Sequence, residues 1–198
     1  MHVRRVIKME PRFRPSSHPR KVQGARILWS GVWWLLFRPS PRWMFGWRAA
    51  LLSCFGARLG RDVRVYPSAR IWAPWNLTMG DRSCLGSGVN CYNCASIEIG
   101  ENAVVSQSAY LCTASHDYNS TDFPFFSRPI SIGDHAWVCT EAFLGPGVRV
   151  EAGAVVGARA AVFRAVPAWS VVGGNPARLL RSRQRPVGQD GPRLSSGG

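Results

Sequence analysis

The sequence is poor in acidic residues, with 11 Asp and Glu against 25 Lys and Arg in 198 residues, which gives a formal net charge of +14. Only 18% of the residues are charged, fewer than in an average globular chain, so a largely disordered, highly charged protein is excluded. No apolar run reaches the ~18–20 residues that a membrane-spanning helix requires. The longest candidate, residues 27–37, would cross about half of a bilayer core as a helix.

Cysteine is present but not arranged for metal binding. Of six cysteines, only Cys91 and Cys94 form a CxxC pair, and no second pair or nearby pair of histidines completes a zinc site. Residues 1–26 are basic and lack the apolar core of a secretory signal. The sequence therefore predicts a cytoplasmic protein with free thiols and no metal.

Composition divides the chain into four segments. Residues 1–24 are predicted to be a flexible basic arm, 25–60 a Trp-rich helical cap, 61–180 the main domain and 181–198 a disordered tail rich in Ser, Arg, Gly and Pro. Within the cap, Pro39 and Pro41 separate two predicted short helices, Arg26–Phe37 and Trp43–Phe55.

The main domain has a period of six residues. Aliphatic residues recur at every sixth position from residue 132: Ile132, Val138, Leu144, Val150, Val156, Val162 and Ala168. The fourth residue after each of these is Ala or Val, and an upstream block follows the same pattern with a two-residue reset: Met79, Leu85, Cys91, Ile97, Ile99, Val105 and Leu111. Glycine often follows the aliphatic residue, which suggests backbone angles that other residues avoid.

This period matches neither a helix nor an isolated strand, and it is the signature of a parallel β-helix. We therefore predict an all-β solenoid of short strands, with the large aliphatic side chains inside and the small ones at the corners. The alternative is a β-sandwich with accidental spacing.

The period is interrupted once, by a loop spanning residues 112–130. This loop contains His116, whereas His135 lies within a hexad and His2 and His18 lie in the arm. Irregular loops on rigid scaffolds often carry binding or catalytic residues. An imidazole beside Ser115, Asp117, Tyr118 and Asn119 suits general-base catalysis on a hydroxyl. The alternative is a loop histidine that only bonds a carbonyl group.

The motifs LCTASHDYN, EAFLGPGV, VVGARAAV and VVGGNPARLL, together with the Trp-rich front, resemble the hexapeptide-repeat acyltransferases. The chain is most similar to colanic-acid-biosynthesis acetyltransferases and to the maltose, galactoside and nodulation acetyltransferases. The resemblance implies a left-handed parallel β-helix, a homotrimer and acetyl-CoA bound in a groove between subunits. It also implies that His116 is the general base and, by position, that Thr140 supplies a backbone N–H to the oxyanion.

Several other residues are candidates for this groove. Trp137 is placed to line an outer face against the cofactor, and Ala142, Gly157 and Ala158 are small enough to admit it. Arg164 and Arg178 suit the phosphates of coenzyme A. For all of these, ordinary packing, corner formation or a solvated basic surface is the alternative. The chain departs from the family at Phe163, where relatives commonly have Thr.

Four residues are candidates for acceptor binding. Asp117 and Tyr118 follow His116 directly, and Asn90 and Asn93 lie on the coil below the loop. A turn or corner role is the alternative for the two asparagines.

The Trp-rich front has two interpretations. It caps the first coil of the solenoid, or residues 25–55 contact a membrane surface, with Trp29, Trp33 and Trp34 at headgroup depth.

The sequence thus predicts an acetyl-CoA-dependent O-acetyltransferase that acts on a sugar hydroxyl in exopolysaccharide or capsule biosynthesis. One alternative is a non-catalytic β-helix that binds anionic partners, although no nucleic-acid-binding motif is present. The other is a metal enzyme on the same fold, which would need three His ligands where the regular region offers only His116 and His135.

Overall fold

The computed structural model describes residues 20–184, in which two short helices precede a solenoid of parallel strands. Helix α1 (Arg20–Val32) continues as a π-helical turn over Trp33–Phe37, and α2 spans Phe45–Cys54. Helix α1 begins before the predicted Arg26 and includes residues 20–24 of the segment predicted as a flexible arm. The rest of that arm and residues 185–198 of the predicted tail lie outside the described residues.

Three parallel sheets form the sides of the solenoid. Sheet 1 contains β1 (Arg58–Leu59), β4 (Leu77–Met79), β7 (Ile97–Ile99), β12 (Ile130–Ile132) and β15 (Arg149–Val150). Sheet 2 contains β2 (Arg64–Val65), β5 (Cys84–Leu85), β8 (Val104–Val105), β13 (Trp137–Val138), β16 (Val155–Val156) and β18 (Ser170–Gly173). Sheet 3 contains β3 (Arg70–Ile71), β6 (Asn90–Tyr92), β9 (Tyr110–Cys112), β14 (Phe143–Leu144) and β17 (Ala161–Val162).

Two antiparallel pairs complete the strands. The hairpin β10 (Ala114–His116) and β11 (Phe125–Ser127) projects from the solenoid. Strand β19 (Arg178–Ser182) pairs with β18 at the C-terminal end. Residues 181 and 182, predicted as the start of a disordered tail, therefore belong to a strand. The prediction of a parallel β-helix of hexapeptide repeats with short N-terminal helices is confirmed.

The spacing of bonded partners in adjacent coils shows where residues are inserted. Partners lie 20 residues apart in the first coils (Arg61 and Asp81), 33 apart across the third and 18 apart later (Glu141 and Arg159). Three hexads make 18 residues. The additional residues lie at the corner between sheet 3 and sheet 1. There the inward residue of β6, Cys91, is followed by two inward residues of β7, Ile97 and Ile99, where a regular hexad has one. The loop that contains His116 emerges at this same corner one coil later.

The predicted inward residues form the core, with one exception. The hexad aliphatics of residues 79–162 are buried, and so are the small companions Ala136, Ala142, Ala154 and Ala160. The exception is Ala168, which is exposed. The last coil is two residues shorter, because Val150 bridges Val166, and Val166 takes the inward position instead.

The glycines that follow the aliphatic residues are required for a different reason from the predicted one. Only a few glycines have positive φ, and those of the repeat positions 80, 86, 100, 133, 145 and 157 are not among them. A Cβ at Gly133 would instead lie 2.6 Å from the backbone nitrogen of Ala152, and one at Gly80 would lie 2.7 Å from that of Glu101. Glycine is needed there because adjacent coils approach closely.

The N-terminal helices cover the open edge of the first coil. The indole N–H groups of Trp29 and Trp33 donate to the carbonyls of Ile71 and Ala69, at 2.7 and 2.8 Å. The buried Arg48 donates to the carbonyl of Val65 at 2.6 Å. Three carbonyls of the first coil, which lack a preceding coil, are thereby satisfied, as buried backbone groups must be.

This arrangement corrects the membrane interpretation at two positions. Trp29 and Trp33 are only 2% and 7% exposed, so they cannot lie at headgroup depth. Trp34 is 60% exposed. No helix in residues 20–184 is long and apolar enough to cross a membrane.

Candidate functional site

The hairpin β10–β11 positions His116. It pairs Ala114 with Ser127 and His116 with Phe125, so the histidine is the last paired residue before the loop tip. The hairpin is joined to the solenoid where the Arg128 N–H donates to the carbonyl of Thr113 at 2.8 Å. His116 is therefore held on a short paired strand and not on a free loop.

Contacts within the hairpin orient the imidazole. Nδ1 of His116 lies 2.6 Å from the carbonyl oxygen of Phe123, and the ring packs edge-on against Phe125 at 5.7 Å between centroids. A carbonyl oxygen only accepts hydrogen bonds, so Nδ1 carries the proton. In the neutral ring the lone pair then resides on Nε2, which is the basic nitrogen.

Asp117 and Tyr118 form the turn that follows. The Asp117 carboxylate accepts a hydrogen bond from the backbone N–H of Asn119 at 3.0 Å, and the Asp117 N–H donates to the carbonyl of Pro124. Tyr118 is 80% exposed beside them. Asp117 thus has a turn-forming role, and Tyr118 is accessible to a ligand.

The two asparagines have different environments. Asn90 lies on the outer face of β6 and is half-buried. Asn93 is fully buried, and its amide both accepts from the N–H of Ala73 at 3.0 Å and donates to the carbonyl of Ala73 at 2.6 Å. The prediction that Asn93 faces the acceptor is wrong, because its side chain closes a corner between coils.

Trp137 and Thr140 belong to the outer surface of the next coil. Trp137 is 47% exposed on sheet 2, and its indole N–H donates to Ser106 Oγ at 2.8 Å. Thr140 follows at the corner between sheets 2 and 3, where its hydroxyl donates to the carbonyl of Gln107 at 2.9 Å. Within residues 20–184, the backbone N–H of Thr140 has no acceptor, so it is available to a ligand.

The small residues predicted to admit a cofactor divide into two groups. Ala142 is fully buried, so the prediction that it contacts a cofactor is wrong, because its methyl group points into the corner of the core. A Cβ at Gly157 would lie 3.1 Å from the carbonyl of Val172, so close stacking of coils explains this glycine. Ala158 is exposed at the same corner as Thr140.

Arg164 and Arg178 line one cleft at the C-terminal end. The cleft has a volume of about 550 Å³, and Phe163, Pro176 and Leu179 form part of its wall. None of its lining residues is acidic. Arg164 follows β17 at the sheet 3–sheet 1 corner, the corner that also bears the hairpin.

Within one chain, the candidate residues lie at two separate corners. Thr140 contacts Gln107, which precedes β9, whereas His116 follows β9. Thr140 and His116 are therefore at opposite ends of this strand. Ala158 shares the corner of Thr140, and the hairpin emerges at the other end of sheet 3.

A second cleft, which was not predicted from the sequence, lies between α1 and the outer face of sheet 3. It has a volume of about 370 Å³, and its lining includes Trp33, Trp34, Trp72, Tyr92 and Asn90. The sequence offers a weak signal for it, since Trp72 and Tyr92 occupy equivalent positions on successive coils.

The cysteines take no part in these sites. All six are free thiols, and burial raises the pKa of Cys91 in the core to about 12. No three His, Cys, Asp or Glu side chains cluster as a metal site in the part of the chain that the structure describes.

Comparison with known proteins identifies similar acetyltransferases. The chain is 43% identical over 171 residues to the Escherichia coli protein named as a colanic acid biosynthesis acetyltransferase, WcaF, covering 84% of this chain and 94% of the relative. A hexapeptide-repeat acetyltransferase from Vibrio cholerae, solved with acetyl-CoA, superimposes with a TM-score of 0.74 at 26% identity over 83% of this chain and 90% of that one. A maltose O-acetyltransferase from Clostridium difficile has the same fold, with a TM-score of 0.76 at 20% identity over 84% and 90% of the two chains. No family model matches the sequence.

Proposed function

As the chain belongs to the hexapeptide-repeat acetyltransferases and is an O-acetyltransferase that uses acetyl-CoA, we propose that it acetylates a sugar hydroxyl with His116 as the general base. The acceptor belongs to exopolysaccharide or capsule biosynthesis. The names of the relatives, one for colanic acid and one for maltose, support a sugar acceptor.

The observation that carries the proposal is the hydrogen bond from His116 Nδ1 to the carbonyl of Phe123. It leaves Nε2 as the base, as proton abstraction from a hydroxyl requires. Nε2 takes the hydroxyl proton as the oxygen attacks the thioester carbonyl. When the C–S bond breaks, the imidazolium returns the proton to the thiolate of coenzyme A. No covalent enzyme intermediate forms, so the cysteine thiols need no role.

Thr140 is the proposed donor to the oxyanion that forms during transfer. Its backbone N–H has no acceptor among the described residues, and its hydroxyl is held by Gln107. A fixed N–H aimed at developing negative charge is an effective form of transition-state stabilisation.

The C-terminal cleft has the chemistry that acetyl-CoA requires. Arg164 and Arg178 supply positive charge for phosphates, and Phe163 and Leu179 supply apolar surface. Its volume of about 550 Å³ is within the usual range for ligand sites. The exposed Trp137 and Ala158 would contact the cofactor from a neighbouring copy.

The assembly is a homotrimer in this proposal. Support comes from the position of His116 and Thr140 at opposite ends of β9, because a neighbouring copy can place its own hairpin against the corner that bears Thr140. A closed ring of three copies repeats one heterologous interface three times and so creates three equivalent sites.

The N-terminal cap is proposed to rest on an anionic membrane surface, where a lipid-linked acceptor would be found. Its exposed apolar residues are Ile27, Leu28, Trp34, Leu35, Leu36, Trp43, Met44 and Trp47. Residues 11–61 contain no Asp or Glu. Exposed Trp and Leu beside unopposed Arg are typical of interfacial segments.

Vesicle flotation tests the membrane contact. The full chain is expected to float with vesicles containing phosphatidylglycerol, and a Trp34→Ser/Leu35→Ser variant is expected to lose most of this binding. Leu179→Ser, which removes an exposed leucine at the other end of the solenoid, serves as the matched control. Equal binding of all three proteins would remove the membrane proposal.

Product analysis tests the proposed reaction. The protein is incubated with acetyl-CoA and a panel of sugars, nucleotide sugars and lipid-linked saccharides. The expected result is release of the thiol of coenzyme A. The acceptor should also gain about 42 Da, the mass that one acetyl group adds when it replaces a hydroxyl hydrogen. A trimer that binds anionic saccharides but releases no thiol with any of them would favour the non-catalytic binding function instead.

A further inference from the structure

The cleft between α1 and sheet 3 is built mainly from aromatic rings. Trp33 and Trp34 come from the π-helical turn, and Trp72 and Tyr92 from successive coils of the solenoid. The rings of Trp72 and Tyr92 meet edge-to-face at 5.9 Å, and those of Trp33 and Trp34 at 5.1 Å. Two elements thus contribute facing aromatic walls to a space of about 370 Å³, large enough for a small ligand.

Two arginines give the cleft a positive charge. The guanidinium of Arg26 lies over the ring of Trp72 at 4.0 Å, and that of Arg70 lies 5.8 Å from the ring of Trp33. Neither arginine forms an ion pair within residues 20–184, and no lining residue is acidic. Stacking on the indoles holds both cations in place without neutralising them.

Two polar groups in the cleft lack a partner within the described part of the chain. Arg26 Nε is buried with no hydrogen-bond acceptor. The side-chain amide of Asn90, on the floor of the cleft, makes no hydrogen bond with residues 20–184. Buried donors in proteins are normally satisfied by the protein, by water or by a ligand, so the unpaired Arg26 Nε leaves a donor in the cleft that an anionic ligand can use.

The cleft lies one coil before the start of the hairpin β10–β11. Tyr92 pairs in register with Cys112, and His116 follows Cys112 by only four residues, so the Cα atoms of Cys112 and His116 are at most about 14 Å apart. A ligand in the cleft is therefore separated from the imidazole by a distance that an oligosaccharide spans.

We propose that this cleft binds a negatively charged sugar residue of the acceptor, remote from the hydroxyl that is acetylated. The aromatic walls contact the sugar ring, Asn90 bonds its hydroxyl groups, and Arg26 and Arg70 bind its carboxylate or phosphate. Arginine pairs with both anions through parallel hydrogen bonds. This inference rests on the proposed function only in calling the ligand an acceptor, because the binding itself does not depend on acetyl transfer.

Ligand-observed NMR and calorimetry test the cleft with defined probes: D-glucuronic acid, D-glucose 1-phosphate, D-glucose and inorganic phosphate. Binding is expected for at least one of the two charged sugars, at least about tenfold tighter than for glucose, since a hydrogen-bonded charge pair contributes about that much. The carboxylate and phosphate probes show which anion the site prefers.

Variants and matched controls locate the binding. Arg70→Gln and Asn90→Ala are each expected to weaken it about tenfold. The controls are Arg64→Gln, an exposed arginine on sheet 2, and Trp43→Ala, an exposed tryptophan of the cap outside the cleft. A His116→Ala variant is expected to bind the charged sugar as the unchanged protein does, which separates this inference from the catalytic one.

Three results would overturn the inference. The first is no binding of either charged sugar by a folded trimer. The second is equal affinity for inorganic phosphate and glucose 1-phosphate, which would remove the contact with the sugar ring. The third is an equal loss of binding in Arg64→Gln and Arg70→Gln, which would indicate non-specific attraction to the basic chain.

Discussion

His116 donates a hydrogen bond from Nδ1 to the carbonyl oxygen of Phe123, 2.6 Å away, at the last paired position of the hairpin β10–β11. The acceptor is a backbone atom, so side-chain substitution at Phe123 does not remove it. Phe125 packs edge-on against the same ring. The hairpin therefore fixes both the tautomer and the orientation of the imidazole, which is what a general base needs.

The cap is expected to stabilise the fold through its indole N–H groups. Trp29→Phe retains an aromatic ring but leaves the carbonyl of Ile71 without its donor, which should lower the free energy of unfolding by about 2 kcal/mol. The matched Trp43→Phe change, at a side chain that is 79% exposed, should alter it by less than about 0.5 kcal/mol. Urea unfolding followed by circular dichroism measures both, and equal losses would refute the capping role.

Close stacking of coils predicts opposite effects for two Gly→Ala substitutions. Gly133→Ala places a methyl group 2.6 Å from the backbone nitrogen of Ala152 and should destabilise the protein by about 1–3 kcal/mol. Gly46→Ala, in α2, meets nothing within 4 Å and should stabilise it by about 0.5–1 kcal/mol. Thermal unfolding of the two variants provides the comparison. A neutral Gly133→Ala would mean that the coils are not packed as described.

The core could be predicted from the sequence because each side of a β-helix places one large residue inside. Each side with its corner takes six residues, so these inward residues recur at every sixth position. Asn93 was assigned wrongly although its position relative to Cys91 offered a signal. Side chains alternate between the two faces of a strand, and Asn93 is two positions after Cys91. Asn93 therefore points inward with Cys91, while Asn90 and Tyr92 point outward. The cleft at Arg26 could not be predicted, because it depends on where a helix docks on a sheet far away in sequence.

Burial of Cys91 predicts its reactivity. Its pKa is raised to about 12 because the thiol is desolvated, so at pH 8 the thiolate is on the order of one part in ten thousand. Because alkylation requires the thiolate, iodoacetamide should modify the exposed Cys54 and leave Cys91 intact in the folded protein. The thiolate fraction of Cys91 rises only as the pH approaches 12. Peptide mass spectrometry reads out both sites, and equal modification at pH 8 would show that Cys91 is not in a closed core.

An active site shared between copies predicts complementation. His116→Ala removes the base, and Ala158→Trp is designed to obstruct the proposed cofactor groove at an exposed corner. Each variant alone should be inactive. Random mixed trimers of the two should recover about a quarter of the normal sites, since one site in four combines an intact hairpin with an intact groove. Absence of any recovery in mixed trimers verified by mass would place the whole site within one chain.

The most direct test of the account is the rate of acetyl transfer after removal of one imidazole. His116→Ala is compared with His135→Ala, which removes a histidine at a solenoid corner, by measuring thiol release from acetyl-CoA with the accepted sugar. If His116 is the general base, kcat should fall about 10²–10⁴-fold for His116→Ala with the trimer intact, and His135→Ala should retain the normal rate. A His116→Ala protein with unchanged kcat would contradict this role.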